Sequence, residues 1–136
     1  MSDCLFCKII AHEIPATFVY EDEACIGFLD IQPVNKGHVL IVPKKHSQGS
    51  HDADPEILAH LIQVIQKMAK AILQATGNPA YNIFQNNGTE AGQAIPHLHF
   101  HVIPRFAEDG IEQWHGQGPY AAGEAEALAK QIQGVL

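Results

Sequence analysis

The segment Asp54–Pro79, DPEILAHLIQVIQKMAKAILQATGNP, decides how the rest of the chain is read. Asp54 suits an N-cap, because its carboxylate accepts from the first backbone N–H groups, and Pro55 suits the first helical position. Ile57, Leu58, Leu61, Ile62, Ile65, Met68 and Ile72 recur at three- and four-residue steps and trace one apolar stripe. Gly77, followed by Asn78-Pro79, ends the run. This predicts one long amphipathic helix.

The segments on either side read differently. ATFVYED (16–22) and ACIGFLD (24–30) are dominated by β-branched and aromatic residues, and Glu21-Asp22-Glu23 supplies a turn between two strands. QPVNKG (32–37) is dense in turn formers and reverses the chain. HVLIVP (38–43) is apolar enough for a third strand covered on both faces. After the helix come a fourth strand, AYNIFQN (80–86), the glycine-bearing turn NGTEAGQ (87–93), and a fifth strand in IPHLHFHVIPR (95–105) that stops near Pro104. Residues 4–11 suit a short N-terminal helix, and a weak helical pattern returns at 124–135. Strands before and after one long helix, joined by short turns, indicate an α+β domain with a mainly antiparallel five-stranded sheet. The expected organisation is one domain over 1–136, with its core in 4–106 and a C-terminal segment in 107–136.

Composition narrows the function classes. With 136 residues, 46% hydrophobic and 17% charged, the chain is long enough and apolar enough to bury a core. A net charge of −7 argues against a nonspecific nucleic-acid binder, which needs a basic surface. It leaves room for a small anionic ligand met by local groups. MSDCLFCKII lacks a basic n-region with a long apolar stretch, and no apolar run approaches the roughly 18 residues that span a bilayer. The expectation is therefore an intracellular, cytoplasmic protein with no membrane partner, whose three cysteines form no disulfide framework. Cys25 reads as a buried small hydrophobe, whereas Cys4 and Cys7 have the spacing of a metal or redox pair.

The chemistry concentrates in the fifth strand. His97, His99 and His101 sit at alternate positions, so a strand puts them on one face, about 7 Å apart per step, with Leu98, Phe100 and Val102 toward the core. The plain reading is a polar, half-exposed strand face. Two functional readings compete with it. Neutral imidazoles on one face can ligate zinc or iron. Alternatively, one imidazole is a nucleophile at phosphorus that its neighbours orient. The preceding turn favours the second, because its glycines free backbone N–H groups and Asn86, Asn87 and Gln93 add amide donors suited to phosphate oxygens.

HLHFHVI resembles the His-φ-His-φ-His-φ-φ signature (φ apolar) of the histidine triad (HIT) superfamily of nucleotide hydrolases and transferases. CLFCKII, FLDIQPVNKGHVLIVPKKH and NNGTEAGQAIPHLHFHVIPR resemble further family blocks in family order, together covering most of residues 4–105. The resemblance implies an α+β fold and a homodimer whose sheets join into one. Its substrate would be a purine nucleotide or dinucleoside polyphosphate, or a nucleoside phosphoramidate. It places the nucleophile at His99, forming a covalent nucleotidyl-imidazole that water hydrolyses. His101 would contact the phosphate and assist the leaving group, and His97 and His38 would complete the cluster. Asp30 matches a ribose-binding acid, and Asn86 and Gln93 match phosphate-contacting amides. Phe6, Ile10, Phe28 and Leu29 are candidates to sandwich the base. One departure is Ala94, where many members carry a Ser or Thr able to help the leaving group. It leaves open a nucleotide-sensing or partner-binding module with vestigial turnover. The remaining rival is a metal-dependent enzyme using the three histidines as ligands.

C-x-x-C so close to the start leaves no room for the strand of a thioredoxin-like motif, and two thiolates need about two more ligands for tetrahedral zinc. By resemblance to bacterial members, the set is Cys4, Cys7, His46 and His97, with a structural zinc and no cofactor required for catalysis. His12, His51, His60 and His115 are expected to be solvent-exposed bystanders. Trp114, in AEDGIEQWHGQGPY (107–120), either crosses a dimer interface or covers the core.

Overall fold

A computed structural model describes residues 3–112 and 116–136, so Trp114 and His115 lie outside the described residues. The elements in order are α1 (Leu5–Ile10), β1 (Phe18–Glu21), β2 (Cys25–Leu29), β3 (Val39–Pro43), α2 (Pro55–Thr76), β4 (Ala80–Phe84), β5 (Phe100–Arg105) and α3 (Glu124–Gln133), with a single 3₁₀ turn at Thr89–Ala91. The strands form one antiparallel sheet in the order β1-β2-β3-β5-β4. The fold is α+β, as the sequence predicts, with the ends of β1 to β4 trimmed by at most two residues and β5 shortened further.

Helix α2 starts and stops where its sequence says. The Asp54 carboxylate accepts from Glu56 N–H at 3.0 Å, Pro55 opens the helix, and Gly77 closes it in the left-handed conformation (φ 74°). Its stripe needs one correction. Ile62 is 51% exposed and Val64 takes its place in the core beside Leu61, Ile65, Met68, Ala69 and Ile72. A true 3.6-residue period puts position 64 opposite the sheet and rotates 62 off it.

The sheet separates two apolar layers. On the α2 side lie Cys25, Val39, Ile41, Leu98 and Val102. On the other side Ile26, Phe28, Leu40 and Val42 pack against Phe6 and Ile9 of α1. β3 is buried at every position, as a strand covered on both faces must be. Asp22 makes the β1–β2 turn by accepting from Ala24 N–H at 2.7 Å and Cys25 N–H at 2.8 Å.

The expected histidine strand is corrected at its start. The ladder begins at Phe100, so of the three histidines only His101 is hydrogen-bonded into the sheet. Pro96 and the tight His97 N–H to Ile95 carbonyl turn precede it, and Leu98 N–H bonds to the Ser47 carbonyl at 2.8 Å instead of a strand. The alternation of faces survives without the ladder: Leu98 and Val102 enter the α2-side core, and the imidazoles lie on the α1 side.

Candidate active site

The imidazoles are not on a solvated face. His97 is fully buried, and His99 and His38 are 5% and 3% exposed. Phe6 of α1 roofs them, its ring edge-on to His99 with centroids 4.9 Å apart. Burial therefore pushes all four histidines below the ordinary imidazole pKa. Desolvation is the leading cause each time, and for His101, where His99 and His38 add to it, the value falls to about 4. At neutral pH these rings are neutral, so each carries one N–H and one lone pair.

Hydrogen bonds fix which nitrogen holds which. His99 Nδ1 lies 2.7 Å from the His97 carbonyl, which can only accept, so Nδ1 carries the proton and Nε2 keeps its lone pair. Val34 N–H donates to His38 Nδ1 at 3.1 Å, which makes His38 Nε2 the protonated nitrogen. His38 Nε2 then donates to His101 Nδ1 at 2.9 Å, leaving His101 Nε2 protonated. One ring presents a nucleophilic lone pair, and its neighbour, 5.0 Å away between centroids, presents a donor. The groups that set this pattern are largely backbone atoms of Val34 and His97. No side-chain motif announces them.

Asp30 follows β2 and sits beside the cluster, its Oδ1 accepting from Gln32 N–H at 2.8 Å and its Oδ2 3.7 Å from His38 Nε2. The turn before the histidines bends through Gly88 (φ 92°) and Gly92 (φ 90°), and Asn86 Nδ2 reaches the Gly92 carbonyl at 3.5 Å. Gln93 is 7% exposed with both ends of its amide engaged: Nε2 donates to the Gln48 carbonyl at 2.7 Å and Oε1 accepts from Gly88 N–H at 2.8 Å. Of the residues expected around a base, Phe6, Ile10 and Phe28 share the histidine side, whereas Leu29 packs into the α2-side core. β-strand parity separates Leu29 from Phe28.

The three triad imidazoles do not converge as one ligand set. His97 Nε2 donates to the Pro43 carbonyl at 2.8 Å, which turns its Nδ1 lone pair away from His99 and toward the cysteines. There Nδ1 lies 3.4 Å from Cys4 Sγ, 3.6 Å from Cys7 Sγ and 3.0 Å from His46 Nδ1, and Cys7 Sγ is 3.4 Å from His46 Nδ1. Tetrahedral zinc with Zn–N near 2.0 Å and Zn–S near 2.3 Å spaces its ligand atoms by about 3.3–3.8 Å. Two thiols and two imidazoles whose ligand atoms all lie within 4.8 Å of one another are a donor set compatible with a four-coordinate zinc. Cys4 also caps α1, accepting from Cys7 N–H, so the loop that would hold the metal starts that helix.

Two expected bystanders have partners. His60 Nε2 is 2.7 Å from Asp22 Oδ2, tying α2 to the β1–β2 turn, and His12 stacks on Phe18 with centroids 5.1 Å apart. His60 escapes a sequence reading because its partner is 38 residues away.

The chain belongs to the HIT domain family, which matches residues 11–108. It is 38% identical over 130 residues to the adenosine 5′-monophosphoramidase of Schizosaccharomyces pombe, covering 95% of each chain. A crystal structure of a HIT family protein from Bacillus subtilis superposes with a TM-score of 0.91 at 36% identity, covering 98% of this chain and 97% of that one. A zinc-bound histidine triad family protein from Mycobacterium smegmatis gives 0.78 at 33% identity, with 99% of each chain covered. Among the described residues no helix is long and apolar enough to cross a membrane.

Proposed function

We propose that this protein is a nucleotide hydrolase that transfers a nucleoside monophosphoryl group, AMP in the first instance, through His99 to water. The observation that carries the reading is the fixed tautomer pair: a lone pair on His99 Nε2 beside a donor on His101 Nε2. His99 Nε2 attacks the α-phosphorus of a dinucleoside polyphosphate or nucleoside phosphoramidate. The bond to the leaving group breaks as His101 Nε2–H hydrogen-bonds the departing atom; a polyphosphate leaves as its anion, and an amine takes its proton from water. Water then attacks the same phosphorus, the P–N bond breaks to restore the His99 Nε2 lone pair, and the proton released passes to solvent. Asp30 holds the ribose hydroxyls through Oδ2, Asn86 and the backbone N–H groups of the glycine turn meet the phosphate oxygens, and Gln93 holds that turn in place. Phe6 and Phe28 supply apolar surface for the base. Cys4, Cys7, His46 and His97 hold a structural zinc that takes no part in the chemistry, and the working unit is a homodimer.

The related monophosphoramidase supports the reaction class. Ala94 favours a second reading, a nucleotide sensor with vestigial turnover, because no hydroxyl stands there to assist a poor leaving group. Adenosine phosphoramidate, diadenosine polyphosphates and aminoacyl-adenylates should be compared by turnover, with an alkaline quench to trap nucleotidyl-histidine. The hydrolase reading expects His99→Ala to lose turnover by about 10³-fold or more with no trapped adduct. Native turnover in that variant sinks the mechanism, and tight AMP binding with negligible turnover in the wild type favours the sensor.

A further inference from the structure

We infer that Asn87 is a positioning residue for the phosphate turn, acting by clasping it to the loop that follows His46. The inference rests on the reading that residues 86–93 hold the phosphates. Asn87 Oδ1 accepts from Ser50 N–H at 2.7 Å and from Gln85 Nε2 at 2.9 Å, while its Nδ2 donates to Gln85 Oε1 at 2.6 Å. The exposed side chain thus reaches across to the Ser50 backbone through Oδ1, while its paired amide bonds to Gln85 within its own segment fix the aim of that oxygen. Two further stitches join the same loop to the site: Gln93 Nε2 to the Gln48 carbonyl at 2.7 Å and Leu98 N–H to the Ser47 carbonyl at 2.8 Å.

Gly49 is the other half of the clasp. A Cβ built on it falls 2.5 Å from Asn87 Oδ1 and 2.9 Å from the His51 ring. Its backbone angle does not call for glycine, so the close approach of Asn87 does. Gln93 secures the far end of the turn to Gly88 and to the Gln48 carbonyl, and Asn87 secures its entry. Gly88 and Gly92 give it two left-handed bends, and Thr89, Glu90 and Ala91 are exposed. A glycine-rich turn that is loose before binding must be ordered by the ligand, which weakens affinity. The clasp does that ordering in the free protein. Because Asn87 lies outside both apolar cores, its loss should move the turn without loosening the fold.

The test compares wild type, Asn87→Ala, Gly49→Ala and the double variant, using AMP as the binding probe and diadenosine tetraphosphate as substrate. For Asn87→Ala we expect AMP Kd and substrate KM to rise about tenfold, the size of one to two hydrogen bonds, with kcat changed by less than about threefold. Tm should hold, and hydrogen exchange at Ser50 N–H should quicken. Gly49→Ala should reproduce the effect, and in the Asn87→Ala background it should add little, because the two act through one contact. Wild-type AMP affinity in Asn87→Ala despite faster Ser50 exchange overturns the inference alone. A parallel fall in Tm and kcat with KM unchanged also overturns it, as a merely structural effect. Absence of any nucleotide binding by wild type overturns the functional reading beneath it.

Discussion

At the scale of single residues, the site depends on keeping buried imidazoles neutral, and that has a measurable sign. An unfolded-state histidine titrates near about 6.5, whereas His101 in the folded chain is held down to about 4, first by burial and then by its His99 and His38 neighbours. His99 and His38 are lowered in the same direction by burial. Between those pH values the unfolded chain binds more protons than the folded one, so stability rises with pH across the window. It is fully present above about 6.5 and is lost progressively as pH falls toward 4. Urea unfolding at pH 7.5 and pH 5 should therefore show lower stability at pH 5, and His101→Gln should flatten part of the slope. An unchanged slope in that variant would remove His101 from the account. The spacing of the sequence picks out the triad and the cysteine pair, and the family resemblance adds Asp30, His38 and His46. The structure gathers Cys4, Cys7, His46 and His97 in one cluster and Asp30, His38 and His101 in another, with His99 beside the second. Their division of labour is not legible in the sequence, because it is written by Val34 N–H and by the carbonyls of His97 and Pro43. Every residue carries such groups, so no pattern marks these three.

At the scale of elements, α2 and α1 contrast in how they are specified. Helix α2 carries its own caps and a long apolar face, so its limits are local properties and are readable in advance. Helix α1 spans six residues, too short to be stable by propensity, and is held by Phe6 and Ile9 in the second core and by the Cys4 cap. Three of its attachments converge on the Cys4, Cys7, His46 and His97 cluster, which joins α1 to the loop after β3 and to the triad segment. Metal binding there should act as a staple for a weak element. Zinc at a hundredfold excess over its Kd is expected to add about 3 kcal/mol to stability, and chelation should lower Tm accordingly. Cys4→Ser and Cys7→Ser should abolish that shift, followed by calorimetry and by metal content in protein purified without a His tag. A Tm insensitive to both chelator and added zinc would leave the cluster as a hydrogen-bonded group only. Phe6 belongs to the same small helix, so loosening it should also uncover the face of His99.

At the scale of the whole molecule, the antiparallel sheet follows from the element pattern, but its strand order and its two unequal edges do not. Strand β1 is the poorer edge for pairing: it has four residues, its register shifts between Phe18 and Tyr20, and Glu21 on it is tied to Lys44 at 2.9 Å. A bulged, charged, short strand is the usual protection against adding another strand. Strand β4 has none of these guards. It pairs in unbroken register with β5 on one side, and Tyr81 and Ile83 are 41% and 46% exposed on the face that α2 contacts. An apolar, regular edge of this kind either attracts unwanted partners or is covered in the working protein. We therefore place the proposed dimer at β4, where two copies pairing edge to edge would form one continuous sheet. Helix α2, with Ile62 51% exposed, would lengthen the contact toward the ~1,000 Å² that a stable interface needs. Sedimentation velocity should find wild type dimeric, Ile83→Lys shifted to monomer, and Val19→Lys on the β1 edge still dimeric. A lysine at Ile83 puts an unpaired charge into the new seam, while at Val19 it stays in solvent. If Val19→Lys dissociates the dimer and Ile83→Lys does not, the sheets join at β1 and the edge assignment is reversed.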